Sequence, residues 1–229
     1  MALFLDSAVV VVALGTLGAA SFLTARKLTD MTEAVRTASP GRPTYTPPVS
    51  VVTNVLSAQE DRFETRARAA ALTLGKAIAG AHLDPSVPAA QSAWQAALDH
   101  YEMAQRILDR DHGPADAVGV VLLAERGEQA LKSARRGRGW TPQRTCFFNP
   151  FHPLASSLVM VAGGRKAVPV PTCPACAKSV SRGRQPRGIL DLTVDNTLRP
   201  WFTLDLGVWG ATGFGALDPD LLGRLHLGE

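Results

Sequence analysis

The chain has only three cysteines in 229 residues, at positions 146, 173 and 176. An odd, clustered set is not a disulfide framework; it suits a metal site or a reducing compartment. Aromatic residues are scarce, at 6% of the chain, while Ala, Gly, Arg and Pro are frequent. Alanine-rich helices bury little area per residue, which predicts a modest core that a bound metal usefully reinforces. Catalytic signatures are also missing: there is no Walker loop, nucleophile elbow, HExxH or GxGxxG, so no reaction is assigned. The glycines of LGVWGATGFGA have no phosphate-binding lysine after them and read as turns. Asp218 and Asp220 read as charges at a helix N-terminus.

Charge is absent between Asp6 and Arg26. The run over 7–24, SAVVVVALGTLGAASFLT, spans roughly 27–29 Å as a helix, close to the ~30 Å of a bilayer core. The segment before it, MALFLD, has no basic residue, and its small residues Gly18 to Ser21 lie inside the run rather than after it. Both features favour an uncleaved anchor over a signal peptide. Arg26 and Lys27 follow the run, and the positive-inside rule places the C-terminal bulk in the cytoplasm of a single-pass protein of the cell membrane. Gly15 and Ala19 form a small-xxx-small pair, a candidate homodimer contact within the membrane.

Acidic residues are nearly absent from 132–199, where only Asp191 and Asp195 face 12 bases, a net charge of +10 within a total of +4. The preceding stretch, 28–131, carries a net −4. This asymmetry accompanies a change in character along the chain. Four prolines in SPGRPTYTPPVS predict a semi-rigid linker over 28–54. Residues 55–136 read as helical. VLSAQEDRFETRARAAALTLGKAIAGA is rich in helix formers, with Ser57 and Glu60 placed for a capping box and Glu64 and Arg68 as an i, i+4 pair. Trp94, Leu98, Tyr101, Gln105 and Leu108 mark the stripe of a second helix. Val118, Val121, Leu122, Glu125 and Leu131 mark one side of a third. Short connections make these neighbours in a small bundle or hairpin. AWQAALDHYEMAQRIL has a faint likeness to a tetratricopeptide helix, a weak pointer to a partner-binding surface, although one helix pair makes no repeat array.

From 137 to 229 helix periodicity stops. VMVAG and KAVPV around Gly163-Gly164 predict a β-hairpin, WFTLDLGVW a further strand, and FGALDPDLLGRLHL a short terminal helix starting near Asp218-Pro219. This module holds the chemistry. TCFFNPFHP contributes Cys146 and His152, and PTCPACAKS contributes Cys173 and Cys176, giving C-x5-H…C-x2-C. A Cys₃His set closes a tetrahedron around one structural zinc ion, and the two-residue spacing of CPAC lets both thiolates face it. His226, Asp191 or water are the alternative fourth ligands. Two rivals stand beside zinc. CPAC between an extended VPVP run and the helix-forming AKSVSR has the local setting of a redox dithiol, although no βαβ pattern surrounds it. Alternatively, the cysteines are small buried hydrophobes.

Lys132, Arg135, Arg136, Arg138, Arg165 and Lys166 surround these ligands, and Arg182, Arg184 and Arg187 follow them. The last three are the candidate contacts for an anionic ligand. Nucleic acid, helped by Trp140, Phe147, Phe148 and Phe151, is the weaker reading; anionic lipid and a plain solvated face are the others.

TCFFNPFHP, the CPAC turn and the ending VW-x-x-TGFGALDPDL together resemble a group of uncharacterised bacterial single-pass membrane proteins with a C-terminal CFFNP…CPxC module. The resemblance covers most of the chain and implies an N-terminal transmembrane helix, an alanine-rich helical middle and this module, but no activity. His152-Pro153 stands where that group has His-Gly. The reading that follows is an α+β chain: an anchor over 1–27, the linker, the helical segment, and a zinc-ribbon or treble-clef-like module over 137–229. Its expected role is a non-enzymatic interaction or scaffolding protein, with a membrane-tethered thiol-disulfide oxidoreductase as the alternative.

Overall fold

The computed structural model describes residues 49–82, 86–163 and 166–227. The expected anchor over 7–24, its Arg26-Lys27 flank, the Gly15/Ala19 pair and most of the linker lie outside these residues. Among the described residues, no helix is long and apolar enough to cross a membrane. They form an α+β structure with six α-helices and two separate two-stranded sheets.

Helix α1 runs over Val49–Ala79. It starts within the stretch expected to be linker, because VSVVTNVLSA contains no proline or glycine to stop a helix propagating back to Pro48. Ser57 is therefore an interior helix residue and not the cap of a capping box. Glu64 and Arg68 do pair, at 2.6 Å. Ala67, Ala71 and Leu74, spaced i, i+4, i+7, form the buried stripe of α1.

Helix α2 (Pro88–Leu108) starts with proline at its first position, where the missing N–H costs nothing. Its buried line is Ala93, Ala97, His100, Ala104 and Ile107. Of the expected stripe, Leu108 is buried, while Trp94, Leu98, Tyr101 and Gln105 lie one residue round the helix, on the half-buried flank. The alanine line wins the centre because small side chains let the helix axes approach closely, leaving the large ones to cover the margins. Helix α3 (Pro114–Ala134) is buried on every side from Ala117 to Ala124. It is the central helix, not the one-sided helix the spacing suggested. Gly119 faces the Trp209 ring so closely that a Cβ there would overlap it, and a Cβ on Gly127 would lie 2.5 Å from Leu74.

In the C-terminal part, β1 (Ser157–Gly163) pairs antiparallel with β2 (Lys166–Thr172), from Ser157 opposite Thr172 to Gly163 opposite Lys166. The expected hairpin is present. Helix α4 (Pro174–Ser181) follows, then a second hairpin of β3 (Asp191–Val194) and β4 (Thr197–Pro200). Asp195 and Asn196 connect this second hairpin with φ of 52° and 55°. That is the twist of a type I′ turn, which Asp and Asn tolerate.

WFTLDLGVW is not a strand. Trp201–Thr203 is a single 3₁₀ turn and Val208–Thr212 is the short helix α5. A strand would point Trp201 and Phe202 to opposite faces. The 3₁₀ turn instead buries both, at 1% and 4% exposure, around Phe147. Helix α6 spans Leu221–Leu227, just after Pro219.

Six aromatic residues, Phe147, Phe148, Trp201, Phe202, Trp209 and Phe214, gather in one place. Trp201 meets Phe147 and Phe214 edge-on with ring centres at 5.1 and 5.6 Å, and Trp209 stacks on Phe214 at 5.8 Å. The Trp201 indole N–H donates to the Phe147 carbonyl at 2.9 Å, so its burial leaves no polar group unpaired. This cluster is continuous with the alanine and valine packing of the helices, so the helical segment and the Cys/His module share one core.

Candidate metal centre

Strand β2 delivers the chain directly to the first of two paired cysteines. Cys173 is the N-cap of α4, extended at φ −70° and ψ 161°, with Pro174 at the first helical position. The first turn then brings Cys176 back to the same side, and the Ala177 N–H donates to the Cys173 carbonyl at 3.0 Å. A two-residue spacing across a helix start therefore aims both sulfurs at one point.

The other two members come from the 146–152 loop. The Phe147 N–H donates to the Pro171 carbonyl at 2.8 Å, pinning Cys146 beside the end of β2. Asn149 then reverses the chain. Its side-chain oxygen accepts the Phe151 N–H at 2.9 Å, and its carbonyl accepts the His152 N–H at 3.1 Å. Its amide donates to the Gly188 carbonyl at 2.6 Å. Gly188, at φ +67°, closes over the imidazole, where a Cβ would lie 3.2 Å from Nε2. Nδ1 is left facing the sulfurs, 3.3 Å from Cys176 Sγ and 3.8 Å from Cys173 Sγ.

One donor atom from each of Cys146, His152, Cys173 and Cys176 lies within 4.8 Å of the others. Bond lengths of ~2.3 Å to sulfur and ~2.0 Å to nitrogen give tetrahedral edges of about 3.5–3.8 Å, so these four atoms can hold one metal ion with small adjustments. All three thiols are free and buried. Neither His226 nor Asp191 belongs to the cluster.

The electrostatics are those of a site that wants a cation. Burial, followed by the negative charge of Cys146, pushes the Cys176 thiol well up from its ordinary range. For Cys173, burial also acts upward. Hydrogen bonds to its sulfur, led by the Cys176 backbone N–H, outweigh it and lower the thiol. Burial holds His152 below its ordinary value, so the ring is neutral and its Nδ1 lone pair free at neutral pH. The raised Cys176 thiol is the one whose deprotonation a metal's counter-charge would favour most.

Arg182, the C-cap residue of α4, and Arg184 and Arg187 beyond it are all exposed. The aromatics near them in sequence turn inward: Phe147 and Phe148 are core residues. Phe151 packs against Phe63 with the Arg66 guanidinium 4.2 Å from its ring centre, and Trp140 packs edge-on to His100 at 5.2 Å. The buried Phe147 and Phe148 offer no free stacking face of the kind single-stranded nucleic acid uses.

Sequence reasoning missed Asn149 and Gly188 as supports of the site. The signal for Asn149 was present in Asn149-Pro150, a turn-initiating pair. The contact between Asn149 and Gly188 joins residues 39 apart and left no local trace. Comparison with protein-family models, curated proteins and solved structures returns no match for this chain.

Proposed function

We propose that this chain is a membrane-anchored, non-enzymatic interaction protein whose C-terminal module is organised by one structural zinc ion. The convergence of Cys146, His152, Cys173 and Cys176 on one point carries the reading. Three thiolates and an imidazole are the donor set zinc prefers, and four protein ligands leave no open position for a substrate. The order of elements is a loop with two ligands, a hairpin, then a helix whose first turn supplies the other two. This favours a treble-clef-like arrangement over a ribbon with ligands on two hairpin turns. The anchor over 7–24, the single-pass topology with a cytoplasmic bulk, the transmembrane homodimer and the kinship with the CFFNP…CPxC membrane proteins belong to the same proposal and rest on the residues already quoted.

A thiol-disulfide oxidoreductase using Cys173 and Cys176 is the second reading, favoured by the lowered Cys173 thiol at a helix start. Its weakness is access: Cys173 and Cys176 are 1% and 2% exposed, and an attacking thiol must reach its partner. Metal analysis of the full chain purified in detergent separates the two. The zinc reading expects one zinc per chain, lost together with the melting transition on Cys173→Ser. A metal-free, folded chain that cycles between a Cys173–Cys176 disulfide and the dithiol sinks it.

A further inference from the structure

The outward face of the β1–β2 hairpin bears no polar side chain among its described positions. In the observed register Leu158 lies opposite Pro171 and Met160 opposite Pro169. Val159, Val161 and Val168 turn to the opposite face and pack on the core. Leu158 is 71% and Met160 57% exposed, with Leu154 just before the strand at 44%, and Ala167 and Pro169 are exposed on β2. Among the described residues, half of the exposed large hydrophobic side chains therefore fall within 154–160. A soluble face of this kind marks an interaction site.

Two observations identify what covers it. The first is charge. No Asp or Glu occurs between Glu128 and Asp191, a stretch that includes the whole hairpin, the metal loop and α4. Helix α4 packs against β1 and ends in exposed Arg182, followed by exposed Arg184 and Arg187. Exposed leucine and methionine and arginines, with no carboxylate within that stretch, make the chemistry that an anionic bilayer surface attracts. The stretch 49–131, which holds the three long helices and carries 7 bases against 11 acids, is repelled by the same surface.

The second is the point at which the chain enters the fold. The N-terminal half of α1 lies on the module. Gln59 donates to the Asp191 carbonyl at 3.0 Å, and Phe63 packs on Phe151. The C-terminal half lies at the other end, where Ala77 and Ile78 pack near Leu131 and Trp140. About 15 Å of helix runs N-terminally from Gln59 to Val49. A tether arriving from the membrane therefore meets the module end of the molecule and not the acidic helical end.

We infer that the outward face of the β1–β2 hairpin, centred on Leu158 and Met160, docks on an anionic bilayer surface, with Arg182, Arg184 and Arg187 supplying the attraction. The direction of the tether rests on the anchored reading proposed above.

The initial rate of Met160 oxidation by hydrogen peroxide, followed by mass spectrometry, reads the docked face before the polar sulfoxide alters it. Met103, 3% exposed, serves as the internal control. The full chain is reconstituted into vesicles of phosphatidylcholine alone and of phosphatidylcholine mixed with phosphatidylglycerol. Met160 oxidation slows several-fold only in the anionic vesicles. It recovers in high salt and in the Arg182→Glu/Arg184→Glu/Arg187→Glu variant. Equal oxidation in both vesicles overturns the inference. So does protection that rises with protein concentration regardless of lipid charge, because a second copy then covers the face. Alkaline carbonate extraction tests the anchor separately. Release of the chain from neutral vesicles removes the anchor, and charge-dependent protection of Met160 stands without it.

Discussion

Arg126 fills the space that Gly215 leaves by having no side chain. A Cβ at Gly215 would overlap the guanidinium, with Cζ only 3.1 Å away. The arginine is 4% exposed and donates to the carbonyls of Pro219 and Gln143, the former through a short 2.5 Å contact. It thereby ties the middle of α3 to the segment before the metal loop and to the start of α6. Burial lowers its pKa to about 10, against the opposing pull of Asp220 and Asp218, so it remains a cation at neutral pH. Gly215→Ala meets both this overlap and a φ of +86° that side chains avoid. The expected loss is ~2–4 kcal/mol of stability by denaturant titration. A loss below ~0.5 kcal/mol would show that the staple moves aside freely.

Asn149 positions His152 without touching the metal position. Asn149→Ala leaves all four donors intact but removes the side-chain clasp on Phe151 and Gly188. Supports of this kind typically contribute ~10–100-fold to metal affinity, and competition with a chromophoric chelator reads that loss. Unchanged affinity would mean that the backbone alone sets the loop.

His112 holds α1 to the turn between α2 and α3. Its Nδ1 faces the Arg110 carbonyl at 2.8 Å and its Nε2 faces the Glu64 carboxylate at 2.7 Å. Both ring nitrogens meet acceptors, so only the doubly protonated ring satisfies both. The bond to the Arg110 carbonyl, then that to Glu64, raises His112 above its ordinary 6.5. Burial acts to raise Glu64, but the hydrogen bond and charge of His112, with Arg68 behind them, bring it below its ordinary 4.5. A raised histidine stabilises fully below pH 6.5 and loses its contribution as pH rises through its folded value. A lowered carboxylate contributes above pH 4.5 and loses its contribution as pH falls through its folded value. Between these limits the pair is at full strength. The melting temperature of the metal-loaded chain should therefore fall as pH rises from 6.5, and His112→Gln should flatten that decline. An unchanged decline in the variant would assign it elsewhere.

Asn196 sits at φ 55° in the β3–β4 turn. Asn196→Val places a β-branched residue in the left-handed region and should lower stability by ~1–2 kcal/mol, while Asn196→Gly should be neutral or better. Equal stabilities for both variants, read by thermal melting, would show that the turn has another conformation.

The Cys/His cluster was legible because its chemistry is local: CPAC places two thiols across one helix start, and Cys146 and His152 share one short loop. The first hairpin was legible because strand-forming runs flank a Gly-Gly pair. The second was not, because Asp195-Asn196 is a hairpin turn only when both residues take positive φ, and DLTVDNTLRP alternates weakly. Trp201 and Phe202 read as strand for the opposite reason. Their propensity favours extension, but a shared aromatic core buries both neighbours and forces a tight turn.

The amino-acid sequence by itself determined the helical middle, the Cys/His donor set, the concentration of the net positive charge in one third of the chain, and the uncharged run near its start. These follow from composition and short spacings, which act within a few residues. Only the tertiary structure decided that α3 is the buried centre. It likewise decided that Arg126 depends on Gly215 and His112 on Glu64. These pairs lie tens of residues apart, and no periodicity records which distant backbone leaves room, or offers an acceptor, for a given side chain.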